Sequence, residues 1–266
     1  MVALIKISDE VREVLSRSTT TGKVLVLPAG LDRKLYMSID KVLKALGGKW
    51  NKKEGGHLFD KEAAAILGAV LGEEEVIDKK KTFQVFETPD KTADFIVHHF
   101  MLSFENPPLR ILEPSCGSGK LIEAVDRWVI KEKAVPPFVY AFEIQEELLS
   151  KVVYSGTLGL CKTQGDFLRM VPDPFSSIDG VIMNPPFTRG QDMEHVMHAM
   201  EFVKPGGVLT AVMSPAWQTS TTSKAKAFKS WLKTFSNVEV SPLPEGSFKE
   251  SGTNVNTVLV TIHKGL

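Results

Sequence analysis

The sequence contains little cysteine, no long apolar run and no excess of either charge. Its 266 residues include only two cysteines, Cys116 and Cys161, and neither belongs to a C-x-x-C pair or to a cluster of histidines and cysteines at metal-ligand spacing. Such sparse cysteine argues against a zinc site and is typical of a reducing compartment. We therefore expect a cytoplasmic protein that needs no metal.

Apolar segments are too short for a membrane protein. No stretch reaches the ~20 apolar residues that a spanning helix needs, and charges interrupt the N-terminal "MVALIKISDEVREVLS" where a secretory signal would be apolar. We expect an intracellular protein without membrane contact. Lys plus Arg and Asp plus Glu number 32 each, so any attraction to nucleic acid has to come from a local patch.

One such patch spans residues 33–53, where seven basic residues accompany one acid, Asp40, and two aromatic residues, Tyr36 and Trp50. Basic residues interleaved with aromatic ones can grip a nucleic-acid backbone and stack on a base. The alternative is a solvated helix face with a tryptophan that anchors a small core. The candidate nucleic-acid-binding residues of this patch are Lys49, Trp50, Lys52 and Lys53.

A block of acids followed by lysines, "EEEVIDKKKT" at residues 73–82, is typical of a solvated linker or helix end. It divides the chain into a small N-terminal α+β accessory domain, residues 1–81, and a larger domain, residues 82–266. Within the first, "SIDKVLKALGG" predicts a short helix with Ser38 as its N-cap and a stop at Gly47 and Gly48.

The larger domain alternates between apolar, branched-rich runs and stretches with helical spacing. Strands are predicted at "LRILEP", "FVYAFE", "DGVIMNPP", "GGVLTAVMSP" and "NTVLVTIHK". Helices are predicted at "KLIEAVDRWVIKEK", "QEELLSKVVYSGTLG", "QDMEHVMHAMEFV" and "SKAKAFKSWLKTF". This alternation predicts an α/β fold with a mostly parallel sheet covered by helices on both faces, whose ligands bind beyond the carboxyl ends of the strands.

The loop "EPSCGSGK" joins the first strong strand to the first strong helix. Its glycines allow close backbone approach, and the helix N-terminus offers free N–H groups. It matches neither the dinucleotide fingerprint nor a P-loop, which favours another adenosine-containing ligand. Glu143 and Asp166 come at the ends of the next two strands. There Glu143 can accept hydrogen bonds from ribose hydroxyls, and Asp166 can accept one from an adenine amine, with the Phe167 ring against the base. Taken one at a time, acidic residues after a strand often do no more than cap a helix or face water.

Taken together, "ILEPSCGSGK", "AFE", "GDF" and "DGVIMNPPF" resemble the class I S-adenosylmethionine-dependent amino-methyltransferases, in the motif order of the gamma-type DNA N6-adenine methyltransferases. "QVFETPDKTADFIV" resembles the motif before the family's first strand, "VKPGGVLTAVMSP" its fifth strand and "FKESGTNVNTVLVTIHK" its final hairpin. The resemblance runs from about Phe83 to the C-terminus. It implies a Rossmann-like class I methyltransferase fold with a mostly parallel seven-stranded sheet, and S-adenosylmethionine as the cofactor.

The resemblance also implies residue roles. The Asn184 side-chain oxygen and the Pro185 carbonyl accept hydrogen bonds from the two hydrogens of an adenine amine, and Phe187 stacks on the flipped base. Separately from the resemblance, the position of Arg189 directly after this turn makes it a candidate nucleic-acid-binding residue for a phosphate or base contact. The implied catalytic residues are Asn184, Pro185, Pro186 and Phe187. The implied cofactor-binding residues are Phe86, Thr88, Pro89, Glu113, Pro114, Ser115, Cys116, Gly117, Gly119, Glu143, Ile144, Asp166, Phe167 and Asn184. His195 and His198, one turn apart on the next predicted helix, either line the substrate mouth or are structural.

DNA enzymes of this type usually carry a target-recognition domain after the catalytic core, whereas this sequence ends at "VTIHKGL". The N-terminal region, a partner, or a short or relaxed target context can replace that domain. The N-terminal region also resembles that of small orphan methyltransferases of bacteriophages and mobile elements. We therefore expect a DNA N6-adenine methyltransferase without its own endonuclease, in a bacterial or phage-infected cytoplasm. The alternatives are methylation of adenine in ribosomal or transfer RNA, methylation of a protein glutamine, and a non-catalytic nucleic-acid-binding protein.

Overall fold

The computed structural model describes residues 4–77, 87–172, 177–249 and 256–266. The chain divides into two compact units, Met1–Val85 and Phe86–Leu266. The boundary predicted between residues 81 and 82, and Phe86 itself, lie outside the described residues. Among the described helices, none has both the length and the apolar character to cross a membrane.

The N-terminal unit combines short strands with three helices within its described residues. In chain order these are β1 (Leu4–Lys6), α1 (Asp9–Ser16), β2 (Thr19–Thr21), β3 (Val24–Val26), α2 (Arg33–Ala45), β4 (Lys49–Asn51), β5 (Gly56–Leu58), α3 (Ala63–Leu71) and β6 (Glu75–Ile77). The strands pair antiparallel, β1 with β6 and the others in the order β2-β3-β5-β4. Apolar faces of the three helices share one core with the strands, including Leu15, Leu25, Ile39, Leu43 and Val70.

Two predictions for this unit were wrong in part. Helix α2 begins at Arg33 rather than after Ser38, because the Asp32 carboxylate caps it by accepting from the backbone N–H groups of Lys34 and Leu35 at 2.8 and 3.0 Å. Ser38 instead donates its hydroxyl to the Lys34 carbonyl within the helix. The predicted linker contains β6, which pairs with β1 some 70 residues earlier, a partnership that local composition does not reveal.

The second unit alternates strands and helices. They are α4 (Asp90–Leu102), β7 (Arg110–Glu113), α5 (Lys120–Glu132), β8 (Phe138–Glu143), α6 (Glu146–Leu149), β9 (Gly159–Gln164), β10 (Ile178–Met183), α7 (Gln191–Phe202), β11 (Val203–Met213), α8 (Ala216–Thr219), α9 (Ser223–Leu232), β12 (Asn237–Pro242) and β13 (Val258–His263). Short 3-10 turns follow β9 and β10, at Phe167–Arg169 and Thr188–Gly190.

The seven strands form one sheet in the order β12-β13-β11-β10-β7-β8-β9. The pairs from β11 to β9 are parallel, whereas β13 runs antiparallel to both of its neighbours. The chain moves outward from β7 to β8 and β9 and then crosses back to β10 on the other side of β7. The strand order therefore reverses between β7 and β10, and the carboxyl ends of these two strands are neighbours at the switch point.

Helices cover both faces of this sheet. Ile111 of β7 packs in a core with residues of α4 and α5, whereas the next residue, Leu112, packs in a core with residues of α7 and α9. Because successive side chains of a strand point to opposite faces, the two cores lie on the two sides of the sheet. The prediction of a Rossmann-like, mostly parallel seven-stranded sheet with helices on both faces is confirmed.

Two elements of the second unit differ from the prediction. Only Glu146–Leu149 of "QEELLSKVVYSGTLG" is helical. Asp126 of α5 accepts hydrogen bonds from the backbone N–H and the hydroxyl of Ser155, and Gly156 has a φ of +91°, which together keep the remainder a loop. Of the stretch predicted as the final hairpin, residues 250–255 lie outside the described residues, and β13 pairs with β11 on one side and on the other with β12, which lies upstream of that stretch. As a largely exposed edge strand, β12 lacks the apolar run that marks a buried one.

Candidate active site

Two loops meet at the switch point. The glycine loop, residues 114–119, follows β7 and leads into α5, and the proline turn, residues 184–187, follows β10. Because β7 and β10 are adjacent and parallel, both loops leave the same edge of the sheet. Most of the site residues predicted from the sequence lie in these two loops or at the ends of β8 and β9.

The backbone of the glycine loop requires glycine at two positions. Gly117 and Gly119 have φ values of +56° and +89°, which side chains rarely tolerate. A Cβ at Gly119 would also lie 2.8 Å from the Val152 side chain, whereas one at Gly117 would meet no atom within 4 Å. The loop is therefore packed on one side and has open space beside Gly117, directly before the N-terminus of α5.

Glu143, the last residue of β8, ties that strand to the glycine loop. Its Oε2 accepts from the Gly117 N–H and its Oε1 from the Gln145 N–H, both at 2.9 Å. The side chain is only 7% exposed. Each carboxylate oxygen can accept more than one hydrogen bond, so Glu143 keeps capacity for hydroxyl donors of a ligand.

Glu113, the last residue of β7, is buried without a complete set of partners. It is 2% exposed, and its Oε2 forms no hydrogen bond within the described part of the chain, as is also true of the neighbouring Ser115 hydroxyl. Burial, and secondarily the charge of Glu143, raises the pKa of Glu113 well above its ordinary value. Buried polar atoms without partners destabilise a fold, so these two point to a polar ligand that completes the site.

Cys116 does not supply chemistry to this loop. Burial, and then the charges of Glu113 and Glu143, raises the pKa of its thiol far above the ordinary value, which keeps it protonated. Its backbone N–H donates to the Phe142 carbonyl at 2.9 Å and so holds the loop against β8. Within the described ranges, no group of three or more His, Cys, Asp and Glu side chains is arranged to hold a metal ion.

Asp166 and Phe167 follow β9 but differ in accessibility. Asp166 is half-buried and caps the short 3-10 turn by accepting from the Leu168 N–H at 3.1 Å. The ring of Phe167 is 2% exposed and packs against other rings, with centroids 4.9 Å from His198 and 5.2 Å from Phe202. The exposed apolar side chain at this edge is Ile144, 46% exposed and next to Glu143.

Asn184 begins the proline turn and is held by a residue far away in the chain. Its side-chain Nδ2 donates to the Thr88 hydroxyl at 3.0 Å, and Thr88 itself is 5% exposed. Asn184 Oδ1 accepts no hydrogen bond from the described residues. Pro185 is buried, and Pro186 and Phe187 are half-buried behind it. The turn is thus anchored while its amide oxygen remains available.

Residues 87–92, which include Thr88, connect both loops to the rest of the unit. Glu87 accepts from the Ser118 hydroxyl at 2.8 Å in the glycine loop, and Asp90 pairs with Lys120 at 3.3 Å at the start of α5. Sequence reasoning did not single out Glu87 or Ser118, because a hydrogen bond between residues 31 positions apart leaves no local pattern.

The backbone after the proline turn takes a rare conformation. Arg189 and Gly190 have φ values of +57° and +69°, and Arg189 is exposed. A non-glycine residue in the left-handed region stores strain that its surroundings have to hold. The ammonium of Lys224 does so by donating to the Arg189 carbonyl at 2.9 Å, while it pairs with Glu194 at 2.7 Å. The conformation of Arg189 therefore depends on α9.

His195 and His198 both pack on Phe167 rather than on the proline turn. His198 Nε2 hydrogen-bonds to the Phe167 carbonyl at 3.1 Å. His195 is 8% exposed, and burial lowers its pKa to about 4, so the ring is neutral near pH 7. This packing favours the structural interpretation for His198, whereas His195 Nδ1 is buried without a hydrogen-bond partner in the described part of the chain, so both interpretations stay open for His195. The remaining candidate residues, Lys49, Trp50, Lys52 and Lys53, belong to the N-terminal unit.

Comparison with known proteins identifies the fold. No protein family matches the chain as a whole or in part. A Listeria monocytogenes protein described as a class I S-adenosylmethionine-dependent methyltransferase aligns with a TM-score of 0.54 and 17% identity, over 67% of this chain and 61% of its own. The methyltransferase subunit of a type I restriction-modification system from Streptococcus thermophilus aligns with a TM-score of 0.56 and 18% identity, over 68% of this chain and 45% of its own.

A third structure, described as a modification subunit of a type I restriction enzyme from Vibrio vulnificus, aligns with a TM-score of 0.53 and 17% identity, over 87% of this chain and 53% of its own. The chain thus spans 45–61% of the length of these proteins. At these identities the likeness concerns the fold, and it agrees with the strand order and the switch point described above. The chain has the Rossmann-like fold of the class I methyltransferases.

Proposed function

We propose that the protein transfers the methyl group of S-adenosylmethionine to the exocyclic N6 amine of adenine in DNA. The observation that carries this proposal is the hydrogen bond from Asn184 Nδ2 to the Thr88 hydroxyl. It uses one of the two Nδ2 hydrogens, while Oδ1 has no donor among the described residues and can accept a hydrogen bond from outside. An amine on an aromatic ring needs such acceptors, because its lone pair is delocalised until the nitrogen becomes more tetrahedral.

The residues of the glycine loop and the neighbouring strand ends fit S-adenosylmethionine. Glu113, whose Oε2 has no partner among the described residues, suits the cationic amino group of the methionine part, because an ammonium brings both charge and hydrogen-bond donors to a buried acid. Glu143 suits the ribose hydroxyls. Asp166 suits the adenine amine, and the exposed Ile144 suits the face of the base. The fold likeness to a protein described as S-adenosylmethionine-dependent supports the same cofactor.

The proline turn then positions the acceptor. When bound, the cofactor supplies a methyl group on a positively charged sulfur. Asn184 Oδ1 and the Pro185 carbonyl accept the two amine hydrogens and aim the nitrogen lone pair, and the fixed φ of proline keeps that carbonyl in place. Phe187 stacks on the base, an interaction worth about 1–3 kcal/mol. In this scheme the rate enhancement comes chiefly from orientation.

One observation supports DNA in particular, and a second supports a nucleic acid of either kind. Two of the three fold neighbours are described as methyltransferase or modification subunits of type I restriction systems. Arg189, exposed and directly after the proline turn, adds a cation to this segment, and its backbone carbonyl is held by Lys224. A guanidinium there suits a phosphate or a base edge of the strand that carries the flipped adenine.

Labelled methyl transfer tests the proposal. The full-length protein is incubated with methyl-labelled S-adenosylmethionine and, separately, with unmethylated duplex DNA, single-stranded DNA, and ribosomal or transfer RNA. We expect label in DNA, recovered as N6-methyladenine by nucleoside mass spectrometry. Label confined to RNA or to protein would contradict the proposal.

Asn184→Ala is the decisive variant. Removing one positioned polar group at a reacting centre typically costs about 100-fold or more in kcat, so we expect transfer to fall at least that far while calorimetry shows retained cofactor binding. Asn237→Ala, in the exposed strand β12, is the matched control and should leave both unchanged. Equal loss of transfer and cofactor binding in Asn184→Ala would place Asn184 in the cofactor site instead.

A further inference from the structure

Trp50, in strand β4 of the N-terminal unit, presents half of its side chain to solvent. It is 50% exposed, and its inner edge contacts the ring of His57 with centroids 5.4 Å apart. The two residues face each other across β4 and β5, and His57 is fully buried. The tryptophan is therefore supported from below while one side remains open, which is the arrangement of a stacking platform.

A buried polar chain connects this platform to helix α2. His57 Nε2 hydrogen-bonds to Asp40 Oδ1 at 3.1 Å, and Lys44 Nζ pairs with Asp40 Oδ2 at 2.7 Å. Burial by itself would raise the pKa of Asp40, but the hydrogen bonds from Lys44 and His57 outweigh it and hold the pKa below its ordinary value. Asp40 is thus ionised and compensated beneath the surface, and it fixes the hairpin of β4 and β5 to the helix.

The outer face of α2 is basic. With ~100° per residue, the residues three, four and seven positions apart on this helix share one side. That side carries Arg33, Met37, Lys41 and Lys44, all exposed. The opposite side, with Ile39, Val42 and Leu43, is buried in the core of the unit.

The turn between β4 and β5 adds two more cations. Lys52 and Lys53 are exposed there, and Asn51 orders the turn by accepting from the N–H groups of Lys53 and Glu54. Side chains alternate along a strand, so Trp50 faces α2 whereas its neighbour Lys49 faces the other side of the sheet. We name the resulting set the α2–hairpin surface; it comprises Arg33, Met37, Lys41, Lys44, Trp50, Lys52 and Lys53.

The charge of this surface favours an anionic strand. Between residues 33 and 53 the single acid is Asp40, which is 6% exposed and paired with Lys44. Two exposed acids flank this range, Asp32 at the N-cap of α2 and Glu54 in the turn, so the cations of the surface still outnumber its exposed acids. The chain as a whole carries no formal net charge, so the cations of the α2–hairpin surface are a local concentration rather than a global trend. Lysines and arginines beside an exposed aromatic ring are complementary to a phosphate backbone with an accessible base.

We infer that the α2–hairpin surface binds a DNA strand, with its cations along the phosphates and Trp50 stacked on an unpaired base. The choice of DNA rests on the proposed function; the surface itself rests on the geometry above. Stacking on Trp50 needs a base outside a duplex stack, so single-stranded DNA should bind more tightly than a blunt duplex of the same sequence.

Fluorescence anisotropy with a labelled 20-nucleotide DNA strand, measured with the full-length protein at several salt concentrations, tests the inference. Trp50→Ala should weaken binding by about 5- to 150-fold, the equivalent of one lost base stack, and Trp50→Phe should retain most of the affinity. Lys52→Glu with Lys53→Glu should weaken binding and reduce the slope of log affinity against log salt by about 1–2.

Two lysines serve as matched controls for the charge reversals. Lys23→Glu, in the exposed turn between β2 and β3, should leave binding unchanged. Lys49→Glu, on the other side of the sheet from Trp50, should weaken DNA binding less than Lys52→Glu or Lys53→Glu does when each is made alone. Wild-type affinity in both Trp50→Ala and the double reversal would overturn the inference and leave only a solvated face. Binding of an RNA strand but not of DNA would overturn it as well.

Different experimental results would contradict the inference and the proposed function. If the variants lose DNA binding while the wild type transfers no methyl group, the α2–hairpin surface stands and the proposed function falls. If the wild type methylates DNA and the variants bind and methylate like it, the proposed function stands and the inference falls. Circular dichroism of Trp50→Phe, which keeps an aromatic ring on His57, checks that the unit remains folded.

Discussion

Asp40 of the N-terminal unit and Glu113 of the second unit are both buried carboxylates, at 6% and 2% exposure. The oxygens of Asp40 are bound by His57 and Lys44. One oxygen of Glu113, in contrast, has no partner in the described part of the chain, and the charge of another acid, Glu143, adds to burial in raising its pKa. A buried carboxylate with internal partners holds elements together, whereas one without them costs stability and marks the place where a ligand binds.

The two pKa shifts have opposite consequences for stability. The folded pKa of Asp40 lies below its unfolded value, so its stabilising effect is present above that unfolded value and is lost as pH falls through the folded pKa. The folded pKa of Glu113 lies above its unfolded value of about 4.3. As pH rises, the unfolded chain therefore loses the Glu113 proton at a lower pH than the folded protein does. The stability of the ligand-free second unit therefore falls as pH rises from there towards the folded pKa.

Glu113→Gln should produce the largest change in ligand binding. A hydrogen bond to a charged group contributes about 1.5–3 kcal/mol, so we expect affinity for S-adenosylmethionine to fall by about 10- to 150-fold in calorimetry. Stability without the cofactor should stay the same or rise at pH 8, because the variant removes a buried acid. A bound ammonium favours the deprotonated carboxylate, so wild-type affinity should rise with pH up to the folded pKa, a trend that the variant loses.

Glu143→Gln sharpens the contrast with Glu113. Both carboxylate oxygens of Glu143 already accept hydrogen bonds from backbone N–H groups. The glutamine amide has only one oxygen, so it can accept only one of these two hydrogen bonds. This control should therefore lose stability in the absence of cofactor, in the same thermal melts that leave Glu113→Gln unaffected. Equal destabilisation by the two substitutions would show that Glu113 has a structural partner and would remove the distinction drawn above.

Asp40→Ala should produce the next largest effect, on stability instead of binding. It leaves the buried ring of His57 without its partner, which costs about 1–3 kcal/mol. We expect faster hydrogen exchange of amides in α2 and β5, with no change in the second unit. Glu54→Gln, an exposed acid in the adjacent turn, is the control and should leave exchange unchanged. An unperturbed N-terminal unit in Asp40→Ala would show that the Asp40–His57 pair does not hold the hairpin to the helix.

The fold and the site were predictable from the sequence to different degrees. Strands β7, β8, β10, β11 and β13 are buried on both faces, and their continuous apolar runs reveal them directly. Strand β12 lies at an exposed edge, and its mixed composition conceals it. Likewise, the capping of α2 by Asp32 rather than Ser38 depends on which side chain reaches the free N–H groups, and both residues suit an N-cap equally well in the sequence.

The candidate site shows the same division. The acids Glu113, Glu143 and Asp166 could be singled out because each ends a strand or comes shortly after one, and parallel strands bring such positions to one edge. Their differing environments were not predictable. The partners of Glu143 come from the backbone, and Phe167 is covered by rings from α7, which is separated from it by a strand. Contacts between distant segments decide which acid is satisfied and which apolar side chain is exposed.

Thr88 illustrates the limit of motif reasoning and gives the smallest expected effect. The resemblance implies that Thr88 holds the methionine part of the cofactor, whereas its hydroxyl contacts Asn184, 96 residues away. If it acts by positioning the amide, Thr88→Val should lower kcat by about 2- to 10-fold, the equivalent of one neutral hydrogen bond, with unchanged affinity for S-adenosylmethionine. Thr88→Ser, which keeps the hydroxyl, should restore the rate. A loss of cofactor affinity at unchanged kcat would instead assign Thr88 to the cofactor, and Asn184 would then depend on the rigidity of the proline turn alone.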